Sequence, residues 1–250
     1  MQLKTLFVVI CIATVSAVAN ADASDHLSTN GYLAYSGQFP HHAKLFVTDD
    51  KTFRTYGSLI TPNYILTLAQ WLRAPQIKGI IILGVDDGRS TETQQRFNFT
   101  KSDIVLHPTY NIASIRLDRA VTFTKFVQPI RLPRLSDTRT YEMMEGTNVI
   151  GFYGATRYLR NQVMVNEVCN PQHPEATIKP EDMCTNAYIG GSLCNRDQGT
   201  GLIIQDENGP ILVGITSKVY ECELNYHTVY LRVSGLRSWI TLNTDYVFDF

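Results

Sequence analysis

Six histidines and five cysteines are the residues from which metal, redox or acid–base chemistry would have to be assembled. The histidines, His26, His41, His42, His107, His173 and His227, are scattered, and an imidazole works as a general base only within reach of the proton it takes. No C-x-x-C pair occurs and His173 stands alone near the cysteines, so neither a zinc site nor any other metal or cofactor is expected. Cys11 falls in an export segment. Cys169, Cys184, Cys194 and Cys222 remain, an even set that in an exported chain reads as disulfides. Four cysteines allow three pairings, and all three stay open here. Asn98-Phe99-Thr100 is a glycosylation sequon and places Asn98 on an exposed surface loop.

The export segment is residues 1–21. Lys4 precedes an apolar run from Leu6 to Val18, and Ala19 and Ala21 flank Asn20 in the order of a cleavable secretory signal. Cleavage is expected after Ala21, with Ala19 the competing site, giving a secreted chain with no membrane anchor. Residues 22–250 are read as one domain, since all-β domains of roughly 200–250 residues are common. Apolar residues make up 44%, enough for a large core. The net charge of -1 argues against a nucleic-acid partner, which calls for a clustered basic surface.

The elements that must position any site read as strands. Short apolar segments recur between turn residues: Lys44–Val47, Ser58–Ile60, Tyr64–Leu68, Gly79–Leu83, Ile104–Leu106, Ile112–Leu117, Asn148–Ile150, Gln162–Val165, Leu202–Ile204, Ile211–Thr216 and Val229–Val233. Their β-branched and aromatic content predicts an all-β sandwich or barrel. One helix is expected near the C-terminus, capped by Ser234, with Leu236, Trp239 and Ile240 on one face. The tail Tyr246–Phe250 reads either as an exposed apolar contact or as a packed end.

A series of short motifs, in order along the chain, carries a family resemblance. Ala34-Tyr35-Ser36-Gly37-Gln38-Phe39-Pro40 comes first, then Gly57-Ser58-Leu59-Ile60 and Tyr64-Ile65-Leu66-Thr67-Leu68-Ala69. His107-Pro108-Thr109-Tyr110-Asn111, Val127-Gln128-Pro129-Ile130 and Arg131-Leu132-Pro133 follow. Cys194-Asn195-Arg196-Asp197-Gln198-Gly199, Leu212-Val213-Gly214-Ile215, Val229-Tyr230-Leu231-Arg232-Val233 and Trp239-Ile240 close the series. Together they resemble the chymotrypsin/trypsin family of serine proteases. The resemblance implies an all-β fold of two six-stranded β-barrels with a C-terminal α-helix, and a site in the cleft between the barrels. It also implies the bridges Cys169–Cys184 and Cys194–Cys222. Thr55 and Trp71 stand where the bridge of the catalytic-histidine loop would be, so that loop is expected to be held by packing and the first barrel to be the more mobile.

The resemblance places the family's histidine position at Gln70, its aspartate position at Asn111 and its serine position at Gln198. Amides have no basic lone pair that titrates near pH 7 and no nucleophilic oxygen with a removable proton, so Ser-His-Asp chemistry is not expected there. Losing the serine or histidine of such a triad costs about 10⁶ in turnover in subtilisin. Arg196 stands at an oxyanion-hole glycine position, Thr200 at another glycine of that loop, and Ser192 at the floor of the specificity pocket. Lys218 and Val219 stand at its wall, so the pocket is expected to be narrowed or filled. Ser28-Thr29-Asn30-Gly31 lacks the activation terminus that normally pairs with the aspartate at Asp197, so Asp197 is expected to meet another cation or hydrogen-bond donors.

These readings lead to the expectation of a secreted protease homologue that is not an enzyme. It would bind an extracellular protein partner (an active protease, its substrate or its inhibitor) as a regulator or cofactor. Family members without catalytic chemistry are common in insects, and the resemblance implies protease cascades, immune melanisation or seminal fluid as settings. With no clip-type module ahead of the domain, seminal or gut fluid is the preferred setting. The competing readings are an enzyme with atypical hydrolase chemistry in the same cleft, and a structural or storage protein of the fluid.

Overall fold

The structure, a computed structural model, describes residues 31–85, 91–151, 154–169, 177–186, 193–194, 197–219 and 227–250. The expected signal 1–21 and the residues Ser192, Arg196 and Cys222 lie outside the described residues.

After a two-residue strand β1 (Tyr32–Leu33) come β2 (His42–Thr48), β3 (Thr52–Leu59), β4 (Tyr64–Thr67), β5 (Lys78–Leu83), β6 (Gln95–Thr100), β7 (Ile104–Leu106) and β8 (Ala113–Arg116). Strands β2 to β8 form one antiparallel sheet in the order β6-β5-β2-β3-β4-β8-β7. A single 3-10 turn, Lys101–Asp103, separates β6 from β7, and Thr100 and Asp103 close it with a capping box. Because β6 pairs with β5 and β7 with β8, the two act as one bent strand that closes the sheet into a six-strand barrel. Side chains alternate across each strand. In β6, Phe97 and Phe99 point inward while Arg96, Asn98 and Thr100 are exposed. The two rings pack with Leu45, Val47, Ile81 and Ile115 in the first core. Burying each such side chain is worth about 1.5–3 kcal/mol.

The second barrel consists of β9 (Glu145–Ile150), β10 (Arg157–Met164), β11 (Asp182–Thr185), β12 (Gly201–Asp206), β13 (Gly209–Lys218) and β14 (Thr228–Arg232). Their order is β10-β11-β14-β13-β12-β9, with β9 returning to pair with β10 and β1 added at the β10 edge. Ile150, Leu159, Val163, Met183 and Leu202 fill the interior. A polar chain runs through it as well: the Tyr230 hydroxyl donates to Asn148 Oδ1 at 2.7 Å, and Asn148 Nδ2 donates to the Gly201 carbonyl at 2.9 Å. The short helix α1 (Asn166–Cys169) is bridged to β11 by the disulfide Cys169–Cys184. Cys194 is also disulfide-bonded, while Cys222 falls outside the described residues.

A third apolar cluster joins the barrels. Leu66, Leu68 and Ile112 of the first barrel meet Ile203, Leu212 and Ile215 of the second. Leu236 and Ile240 seat the C-terminal helix α2 (Arg237–Asn243) on the same seam. Ser234 does not cap this helix. It lies inside a 3-10 turn, Val233–Leu236, that leads straight from β14, and the N-cap position is Leu236 with no side-chain cap bond. Burial of Val233, Leu236 and Ile240 sets the helix start in place of a hydroxyl. The tail divides. The Tyr246 hydroxyl accepts the Leu132 N–H at 2.7 Å and Phe248 packs on the seam, whereas Val247 and Phe250 are exposed.

Candidate functional site

The buried pair Leu68 and Ala69 anchors the end of β4 and delivers Gln70 onto a 3-10 turn, Gln70–Leu72, at the mouth of the seam. Asn111 comes from the link between β7 and β8, where Ala69 N–H donates to its carbonyl at 3.5 Å. Gln198 comes from the turn before β12, on the other barrel. Gly199 holds that turn with φ of 86°, and a Cβ there would meet the Tyr56 carbonyl oxygen at 2.4 Å, so only glycine fits. The Gln198 carbonyl accepts from the Thr55 hydroxyl at 2.7 Å and from the Tyr56 N–H at 3.4 Å. Thr55 therefore works as a tie between the barrels, and Trp71 stacks on Phe53 with ring centroids 5.0 Å apart.

These placements bring Asn111, Gln70 and Gln198 into one row. Asn111 Nδ2 donates to Gln70 Oε1 at 3.2 Å, and Gln70 Nε2 donates to Gln198 Oε1 in a short contact. The row is half-buried and spans both barrels. It contains no group that titrates; its amides are linked in series, and Asn111 Oδ1 is buried with no hydrogen-bond partner among the described residues.

Beneath it lies Asp197, 5% exposed. Its Oδ2 accepts the Cys194 N–H at 2.9 Å, and no cation meets it among the described residues. Burial pushes its pKa up to about 7, against the pull of that one backbone donor. The Tyr56 phenol, equally buried and beside Asp197, is pushed well above its ordinary value. Thr200 is buried, and its hydroxyl donates to the Val149 carbonyl at 2.6 Å.

A cavity of about 360 Å³ opens beside the row, bounded by Gln70, Tyr110, Asn111, Lys179, Ser217 and Lys218. The ladder between β13 and β14 shifts register between Thr216 and Lys218, a bulge that frees Ser217, whose hydroxyl donates to the Val229 carbonyl at 3.1 Å. Lys218 is exposed on this wall, while Val219 is packed into the interior of the second barrel. Tyr110 of the His107–Asn111 motif lines the cavity, as do Lys179, Glu181 and Asp182, which belong to none of the motifs; Lys179-Pro180-Glu181-Asp182 is a charged run around a proline of the kind that marks a surface loop. Asn98 lies on β6 and is exposed, so the sequon sits on a strand and not on a loop.

The trypsin family model matches residues 28–240. The chain belongs to the trypsin family. It is 28% identical to a protein named Collagenase from Hypoderma lineatum, over 88% of each chain. It is 29% identical to Brachyurin from Leptuca pugilator, over 86% of this chain and 97% of that one. A solved structure of HL collagenase superposes with a TM-score of 0.76 at 28% identity, covering 88% of this chain and all of the other.

These relatives correct one expectation. The inference that the chain is not an enzyme does not stand, because the family is a catalytic one and the similar proteins bear protease names. The physical reason is one of scope. Amides at Gln70, Asn111 and Gln198 speak to proton transfer through those three side chains, and not to every hydrolytic chemistry that a cleft between two barrels can host. Among the described residues no helix is long and apolar enough to cross a membrane, and no cluster of ligating side chains could hold a metal ion.

Proposed function

We propose that this trypsin-family chain acts in an extracellular fluid by holding a segment of a protein partner in the cleft beside the amide row, as a regulator or cofactor. The observation that carries this reading is the row itself. It is neutral and links the two barrels through two side-chain hydrogen bonds, so it offers a polar wall without a charge of its own. Around it, Lys179, Glu181 and Lys218 line a small cavity, a mixed-charge lining of the kind that orients a peptide without a single dominant ion pair. Loops on a rigid scaffold are where recognition concentrates.

Affinity capture from the native fluid tests the reading, using the intact secreted chain and a Lys179→Glu, Lys218→Glu variant. A partner retained by the wild type and lost by the variant is expected. The same abundant background on both would contradict it.

A second reading, cleavage of a protein substrate, is favoured by the relatives' names. A broad set of fluorogenic peptides together with an active-site serine reagent separates the two. Turnover with covalent labelling of a residue would decide for cleavage.

A further inference from the structure

The sequon Asn98-Phe99-Thr100 takes no part in the cleft or the amide row, and the fold puts it on the outer wall of the first barrel, in β6. Alternation along the strand sends Phe97 and Phe99 inward and leaves Asn98 and Thr100 exposed. The backbone of Asn98 is used, since its N–H donates to Asp118 Oδ2 at 3.1 Å. Its side-chain amide makes no hydrogen bond among the described residues. Asn148, Asn161 and Asn166, by contrast, each give their amide to a partner in the fold. The Asn98 amide is surplus to the architecture, exposed and carried on a paired strand.

Beside it lies an apolar strip. Asn98 stands directly opposite Ile80 of β5, and Ile80 opposite Phe46 of β2, so the three form one row across the outer face. Ile80 is 39% exposed and Phe46 is half-buried. Side chains opposed in this way start about 4.5–5.5 Å apart, so the first unit of a chain built on Asn98 Nδ2 reaches the Ile80 methyl groups. A pyranose ring can lay its C–H face on such a strip and turn its hydroxyls to water.

Thr100 sets the timing. The acceptor pattern needs a hydroxyl two residues beyond the asparagine. In the fold that hydroxyl donates to Asp103 Oδ2 at 3.0 Å within the capping box, and Phe99 between them is fully buried. An enzyme must therefore read the sequon before the first barrel closes.

We infer that Asn98 carries an N-linked glycan, added during export before β6 pairs, and that its first sugar covers Ile80 and Phe46. Nδ2 forms a bond to C1 of the sugar as the bond from C1 to a lipid-linked diphosphate breaks; one amide proton is released and the lipid diphosphate leaves. Such a modification requires the exported chain of the proposed function and is independent of what the cleft holds.

The full chain, expressed in a eukaryotic secretory cell line and recovered from the medium, is digested and the peptide carrying Asn98 analysed by mass before and after peptide-N-glycosidase in heavy-oxygen water. A hexosamine-bearing peptide that converts to labelled aspartate in place of Asn98 is expected. Thr100→Ser should keep the sugar, and Asn98→Gln should lose it. An unmodified Asn98 in the secreted chain would overturn this inference alone, whereas a chain that is never exported would contradict the extracellular reading along with it. In the secreted wild type, nuclear Overhauser contacts should join the N-acetyl methyl of the first sugar to the Ile80 methyl groups; a glycan without them would overturn the covering. Microsomes should glycosylate the unfolded chain and not the folded, sugar-free one, and equal modification of both would overturn the order of events.

Discussion

The two barrels share one six-strand plan and are held together by different means. The first is filled by aliphatic and phenylalanine side chains, with Phe97 and Phe99 at its centre. The second adds the Asn148–Tyr230 polar chain and the Cys169–Cys184 bridge to its apolar filling. Burial raises the Tyr230 phenol to about 12, so that chain stays neutral and works by hydrogen bonding alone. The difference teaches that the same topology can be stabilised by packing density on one side of a cleft and by directional links on the other. The residues between the barrels must then be tied to both, as the Asn111–Gln70–Gln198 row is.

The largest expected effect lies in the first barrel. Phe97→Ala should cost about 3–5 kcal/mol, because a fully buried ring leaves a cavity among neighbours that relax only in part. Chemical denaturation measures the loss, and hydrogen exchange should place it in β2, β5 and β6. Replacing Cys169 and Cys184 together by alanine should cost on the order of 3 kcal/mol, the entropy of opening a loop of this length. Here exchange should rise around α1 and β11 and stay unchanged in the first barrel. If both barrels loosened equally, the contrast between them would fail. Asn148→Ala comes next, at about 1–3 kcal/mol, since it removes the acceptor of the buried Tyr230 hydroxyl.

A pH dependence sharpens the comparison. Between its ordinary carboxylate value and about 7, folded Asp197 keeps a proton that the unfolded chain has shed, so its contribution to stability falls as pH rises through that window. His41 and His42 act in the opposite sense. Burial lowers His41 to about 3 and His42 well below its ordinary value, so below pH 6.5 the unfolded chain holds protons that the folded one refuses. Stability from both histidines is therefore lost on acidification. Asp197→Asn should raise the denaturation midpoint at pH 8 more than at pH 4. An equal gain at both would show that Asp197 is not protonated in the fold.

Most strands were legible as β-branched runs between turn residues, because a half-buried strand and its breakers leave a local mark. Three were not. β1 is two residues long and exists only because β10 offers it an edge. β11 is four residues whose partners lie far along the chain. β6 shows clean alternation in Arg96-Phe97-Asn98-Phe99, but the sequon drew the reading toward a loop. The helix start was misplaced because Ser234 has the chemistry of a cap while the chain there is already in a 3-10 turn. The row of amides could be found from motifs, since each of its members sits in a recognisable stretch. The lining of the cleft could not. It arises where residues distant in sequence meet, as Gln70, Lys179 and Lys218 do.

The most direct test of the account is a double-mutant cycle on Gln70→Ala and Gln198→Ala, read by urea denaturation at pH 5 and pH 8. A row of neutral amides bridging the barrels predicts a coupling of about 1 kcal/mol, the same at both pH values. Coupling that vanishes, or that changes between the two, would mean that the barrels are not joined through these side chains or that a titrating group works among them.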